Sequence, residues 1–139
     1  MKAGFVPDSI STDLHTASQN AAMKDMLNVM GKFLAMGMKL DDVIRRSTWN
    51  PARQIQLDLG HLSIGAPGDV AVLRLEKGTF GFMDFEGGRL NGSARLLCEM
   101  TVRNGKVAYD LNGMTAERWD TLPPTRPASD SRWDDTRTR

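Results

Sequence analysis

Gly4-Phe5-Val6-Pro7-Asp8-Ser9-Ile10-Ser11-Thr12-Asp13-Leu14-His15 is the stretch on which the fold turns. It mixes apolar and hydroxyl residues and ends in a polar cluster. Pro7 excludes a helix interior, because proline has no N–H to donate and its ring crowds the preceding turn. The reading is a short strand over Ser9 to Thr12, with the polar residues at its C-terminal end. A strand needs a neighbour, and the rest of the chain offers no obvious parallel one.

The next part of the chain is helical. Met23, Met26, Leu27, Met30 and Leu34 fall at the i, i+3, i+4, i+7 spacing of one helix face, with Lys24, Asp25, Asn28 and Lys32 between them. Gly37 suits the C-terminal stop. A methionine stripe can meet a soft metal or a partner helix, but its ordinary use is core. A second, shorter helix turns Leu40, Val43 and Ile44 inward and carries Arg45 and Arg46 near its end. Thr48-Trp49-Asn50-Pro51 announces a third, with Asn50 as N-cap and Pro51 at the first helical position. Three helices then occupy roughly Ala22 to Gln56.

The character changes at Leu59. Gly60, Gly65, Pro67 and Gly68 make a turn-rich connection, and strands are expected over Val70–Leu75, Thr79–Phe85 and Ala94–Val102. Gly87-Gly88 marks a turn, and Asn104-Gly105 a hairpin into a strand ending near Tyr109. Beyond Trp119 the chain is Thr, Pro, Arg, Asp and Ser with only Trp133 to anchor it, the composition of a disordered tail. There is no internal repeat. A lone strand, a helical block and a few antiparallel strands close neither a sheet nor a barrel, so the first strand's partner is missing.

Composition narrows the functional classes. With 40% apolar and 25% charged residues the chain has the balance of a globular domain. A formal net charge of +1 removes any broad electrostatic case for nucleic acid or an anionic membrane. Cys98, the single cysteine, cannot form an internal disulfide and reads as a small strand hydrophobe. No run approaches the roughly 20 apolar residues of a membrane span, and the N-terminus lacks a signal-peptide core, so the default compartment is the cytoplasm. Gly-x-Ser-x-Gly, Walker and Cys-x-x-Cys motifs are absent, and the Gly60–Gly68 spacing is wrong for a phosphate loop. By spacing alone, Asp13 reads as a helix N-cap or a solvated loop carboxylate.

Four blocks, in order, resemble the deacetylase-like, dihydroorotase-related branch of the amidohydrolase superfamily. The first is the run Gly4–His15, similar to that superfamily's eighth-strand motif. The others are Lys32-Phe33-Leu34-Ala35-Met36-Gly37-Met38, Ser47-Thr48-Trp49-Asn50-Pro51-Ala52, and Asp58 to Leu73. The likeness continues through Thr101–Val107 to about Trp119. Two positions depart from the family pattern: Gly68 stands where alanine is usual, and Gly31 where serine is common.

The resemblance implies an α/β fold: the last strand and helices of a (β/α)₈ TIM-type barrel, then the C-terminal strands of a small β-sandwich. Residues 1–58 would be the barrel segment, 59–119 the composite sandwich segment and 120–139 the tail. A barrel alone takes roughly 250 residues, so the chain is expected to be incomplete as a stand-alone unit: truncated, split or mis-started.

In the family a divalent metal, usually zinc, as one or two ions, activates water to cleave amide, N-acyl or acetyl-ester bonds. Its strand-end aspartate ligates the metal and takes the proton during attack. That residue carries over onto Asp13, catalytic and metal-binding at once. His15 either orients Asp13 or meets substrate, or is a surface histidine. The remaining ligands, a His-x-His pair, a carboxylated lysine and two more histidines, belong to earlier strands. The chain has only His15 and His61, and His61 reads as a loop residue.

One carboxylate with at most one histidine does not make a zinc site, so no metal is expected on this chain alone. The implied partner is a small amide or ester substrate, with homo-oligomerisation left open. The alternative is a non-catalytic subunit completing a barrel supplied by an N-terminal half on another chain. A third reading, an unrelated binding domain, must treat four ordered blocks as coincidence. Substrate identity lies in loops of earlier strands, so dihydroorotase-like, hydantoinase-like and D-aminoacylase-like activities stay open.

Overall fold

The methionine stripe folds into helix α1 (Met26–Ala35). Asp25, read from the sequence only as a polar spacer, is its N-cap: the carboxylate accepts the Asn28 N–H at 2.6 Å, satisfying one of the first-turn donors. At the other end the Gly37 N–H donates to the Leu34 carbonyl at 2.9 Å and the Met38 N–H to the Phe33 carbonyl at 3.1 Å. These are the two bonds of a Schellman closure, and Gly37 takes the left-handed conformation it requires, with φ +93°. The closure turns Met38 back into a buried cluster with Ile10, Val29, Met30, Val43 and Leu96, and Met26, Leu27 and Leu34 pack against that cluster. The stripe is core. This computed structural model describes residues 3–16, 18 and 24–122. Ala22 and Met23 of the expected first helix, and the expected tail from residue 123 with Trp133, lie outside the described residues.

Helix α2 (Leu40–Ser47) carries Asp41 and Asp42 in its first turn and Arg45 and Arg46 in its last, the order its dipole favours. Val43 is 0% exposed and Leu40 is partly buried against the core. Ile44, expected to face inward, is 37% exposed, because it lies on the side of α2 beside Trp49 and Gly60. Helix α3 (Trp49–Gln54) starts ahead of the expected cap: Thr48 holds the N-cap position without a side-chain hydrogen bond, and Asn50 is already helical. Pro51 is tolerated two places later than expected, since first-turn N–H groups have no intrahelical partner to lose.

The second half is one antiparallel sheet in the order β1-β2-β3: β1 (Val70–Met83), β2 (Arg89–Arg103) and β3 (Lys106–Asp110). The two strands expected over Val70–Leu75 and Thr79–Phe85 are one, with a register irregularity between Lys77 and Phe80 where a break was expected. Phe85 falls outside it in an exposed turn. There the Gly88 N–H donates to the Asp84 carboxylate at 2.6 Å, and the Asp84 N–H donates to the Gly88 carbonyl at 2.8 Å. Asn104 and Gly105 both have positive φ, +49° and +73°, as an Asn-Gly hairpin demands. Helix α1 lies against β2 with the Phe82 ring, 5% exposed, between helix and sheet. A Cβ on Gly31 would stand 2.5 Å from that ring, and one on Gly92 2.7 Å from it, so both glycines let helix and sheet close on the phenylalanine.

The expected strand at Ser9–Thr12 is not formed: among the described residues the only ladders are those of this sheet. The segment is extended but unpaired. Its Ile10 side chain is buried, and its backbone groups are met by helices instead of a neighbouring strand.

Candidate functional site

Asp13 lies just beyond this extended segment, exposed, with its backbone in the left-handed region at φ +48°. That conformation is uncommon for a residue with a side chain, although aspartate tolerates it better than most. Short polar contacts fix the bend. The Leu14 N–H donates to Thr12 Oγ1 at 3.2 Å, the His15 N–H donates to Ser18 Oγ at 2.8 Å, and that hydroxyl lies 2.9 Å from the Asp13 carbonyl oxygen it donates to. His15 is exposed too, and among the described residues no hydrogen bond joins its ring to the Asp13 carboxylate.

Upstream, three contacts tie the segment to the helical block. The Ile10 N–H donates to the Arg46 carbonyl at 2.8 Å, Asn50 Nδ2 donates to the Asp8 carbonyl at 2.7 Å, and the Arg46 guanidinium donates to the Pro7 carbonyl. Sequence reasoning missed all three. Asn50 before Pro51 carries the signature of a cap, and Arg46 that of a charge near a helix C-terminus, so each already had a local explanation.

His61 sits in the α3–β1 connection. Its ring meets Trp49 edge-to-face at a centroid distance of 5.1 Å. Nδ1 accepts the Ser63 N–H at 3.3 Å, which leaves Nε2 as the donor to Asp58 Oδ1 at 3.1 Å. Both ring nitrogens are engaged within the connection itself. Cys98 is half-buried in β2, its Sγ 3.4 Å from Thr101 Oγ1. Between the start of α1 and the sheet lies an open groove of about 600 Å³, lined in part by Asn28, Phe80, Arg95 and Tyr109. Neither Asp13 nor His15 lines it.

Zinc is held by three or four protein ligands. Among the described residues no group of three or more His, Cys, Asp or Glu side chains stands close enough to hold a metal ion. Asp13 offers one exposed carboxylate, so the described residues do not by themselves fit a metal. No helix among them is long and apolar enough to cross a membrane.

Comparison with known proteins adds to this geometry. The amidohydrolase family model matches residues 1–113. A deacetylase of Brucella anthropi is 38% identical over 76 residues, 54% of this chain and 19% of the relative. A deacetylase of Agrobacterium fabrum is 40% identical over 73 residues, 52% of this chain and 18% of the relative. The matched stretch is therefore about a fifth of the length of these relatives. Among solved structures, a dihydroorotase superposes with a TM-score of 0.70 at 30% identity, over 76% of this chain and 29% of that one. An adenine deaminase superposes with a TM-score of 0.73 at 24% identity, over 78% of this chain and 30% of that one, a likeness of fold.

Proposed function

The chain belongs to the amidohydrolase family, and from that premise we propose that it forms the C-terminal part of a metal-dependent, deacetylase-like hydrolase to which it contributes Asp13. The observation that carries this reading is the family match across residues 1–113, which runs through the extended segment ending at Asp13. Residues 1–58 then belong with a barrel, 59–119 with a composite β-sandwich, and 120–139 with a tail. The substrate class is a small N-acyl amide or acetyl ester, in keeping with two relatives that are deacetylases.

Asp13 is one carboxylate of a metal site whose other ligands come from outside this chain, and zinc suits the His-rich set the family uses. When bound, the metal supplies the acidity that makes water a nucleophile near neutral pH. The part this chain supplies is a carboxylate held at the end of a fixed segment, with the exposed His15 two residues on. The unpaired edge of residues 9–12 suits a second arrangement equally well, in which the barrel is completed by a separate polypeptide.

The test is to read the DNA upstream of the Met1 codon in all frames for a His-x-His pair, a strand-end lysine and two further histidines. The joined protein is then produced and its zinc affinity measured by competition with a chelator. Asp13→Asn is expected to weaken zinc by more than about tenfold, since even groups that only orient a metal ligand are worth that much. Unchanged affinity would remove Asp13 from the site. If the coding potential is found only in a separate gene, the two-chain arrangement holds instead.

A further inference from the structure

We propose that Arg46 and Asn50 are positioning residues that set the Asp13-bearing segment on the helical block, doing for it what a neighbouring strand does inside a sheet. The proposal rests on the reading of Asp13 as the functional carboxylate and adds the residues that decide where it stands.

Extended backbone leaves its N–H and C=O groups in need of partners, and among the described residues no strand provides them here. Pro7 has a carbonyl and no N–H, and that carbonyl is taken by the Arg46 guanidinium. The next carbonyl, that of Asp8, accepts from Asn50 Nδ2 at 2.7 Å. Two residues on, the Ile10 N–H donates to the Arg46 carbonyl at 2.8 Å. Three backbone groups within four residues are thus held by two residues some forty positions away, one ending α2 and one beginning α3. Beneath them the Ile10 side chain is 4% exposed in the cluster that contains Val43 and Met38.

Arg46 is only partly exposed, and its Nε is buried with no hydrogen-bond partner. An arginine whose sole task was to complement a helix dipole would keep that nitrogen in water, where it costs nothing. The planar guanidinium fork accounts for the arrangement, because it holds the terminal nitrogen on a carbonyl in a way a flexible lysine does not. From Ile10 the remaining distance to Asp13 is three residues, and the Thr12 and Ser18 hydroxyls fix the bend there. The position of Asp13 is therefore set at Ile10.

The experiment is amide exchange and HN–Hα coupling by NMR on the ¹⁵N-labelled 139-residue chain, comparing wild type with Arg46→Met, Asn50→Leu, Arg46→Lys and the control Arg45→Met. The wild-type Ile10 amide is expected to exchange slowly. Arg46→Met and Asn50→Leu should each speed that exchange by about tenfold, since each removes a side-chain hydrogen bond that holds the segment beside the Ile10–Arg46 backbone bond. The same two changes should shift the Asp13 coupling away from its left-handed value while Val29 and Met30 in α1 keep their protection. Arg46→Lys should restore part of the effect, and Arg45→Met should have none. An unprotected Ile10 amide in the wild type, unchanged Ile10 and Asp13 signals in the variants, or equal loss of protection in α1 would each overturn the proposal. Asp13→Asn leaves the latch intact because the latch uses backbone groups, so failure of the latch and failure of the metal-ligand reading are read separately.

Discussion

The carboxylate of Asp110, at the end of β3, accepts the Thr115 N–H at 2.8 Å, the Met114 N–H at 2.9 Å and the Thr115 hydroxyl at 2.8 Å. These donors, the Thr115 amide first and the Met114 amide next, hold its pKa below the usual carboxylate value, against a smaller opposing effect of burial. A folded pKa that is depressed means the contribution is fully present above the unfolded value and is lost as pH falls through the folded one. The turn over 111–115 should therefore hold through the ordinary carboxylate range and open only at lower pH. Following the Met114 and Thr115 amide shifts in an acid titration checks this, and in Asp110→Asn the acid step at both amides should vanish. Asp13 makes an instructive contrast. Asp110 spends its carboxylate on its own turn, whereas the bend at Asp13 is made by the Thr12 and Ser18 hydroxyls and leaves the carboxylate out of it.

Between elements, Gly31 and Gly68 answer to different constraints. A Cβ at Gly31 would meet the Phe82 ring held between helix and sheet; one at Gly68 would meet backbone. A Cβ at Gly68 would stand 2.8 Å from the Gly105 nitrogen and 3.1 Å from its Cα, and the Gly105 N–H already donates to the Gly68 carbonyl at 2.9 Å. The Asp69 carboxylate accepts the Asn104 N–H at 2.7 Å beside it. Gly68→Ala should push the β2–β3 hairpin off the start of β1 and destabilise the chain by about 1–3 kcal/mol, read from denaturant unfolding. No change in midpoint would show that the hairpin gives way freely.

Elements such as α1 and the Asn104-Gly105 hairpin were legible in the sequence because their signals are local: a period of 3.6, a glycine at C′, a turn that needs positive φ twice. The fusion of two expected strands into β1 was not, because continuity across Gly78 is enforced by pairing with β2 some fifteen residues later. The polar end of the extended segment, with Asp13 in it, was legible in the order of residues there. The hold of Arg46 and Asn50 was not, because contacts across some forty residues leave no local pattern.

For the molecule as a whole, the informative surface is the connection from α3 to β1. Ile55, Leu57, Leu59, Leu62 and Ile64 are all exposed there, in a stretch that has left the helix and not yet joined the sheet. Five exposed aliphatic side chains within ten residues leave a large apolar area in water. None of the five belongs to the buried cluster. Replacing Leu62 and Ile64 together by serine should leave the unfolding free energy of the 139-residue chain within about 1 kcal/mol of wild type, as for surface substitutions generally. If the remainder of a family barrel covers this face, the same pair of changes in the joined protein gives up the burial of two large side chains, about 3–6 kcal/mol. Urea unfolding of both forms, with and without the substitutions, separates the cases. A large loss only in the joined protein places a family barrel over residues 55–64. Equal small losses in both would leave the strip facing water in both forms.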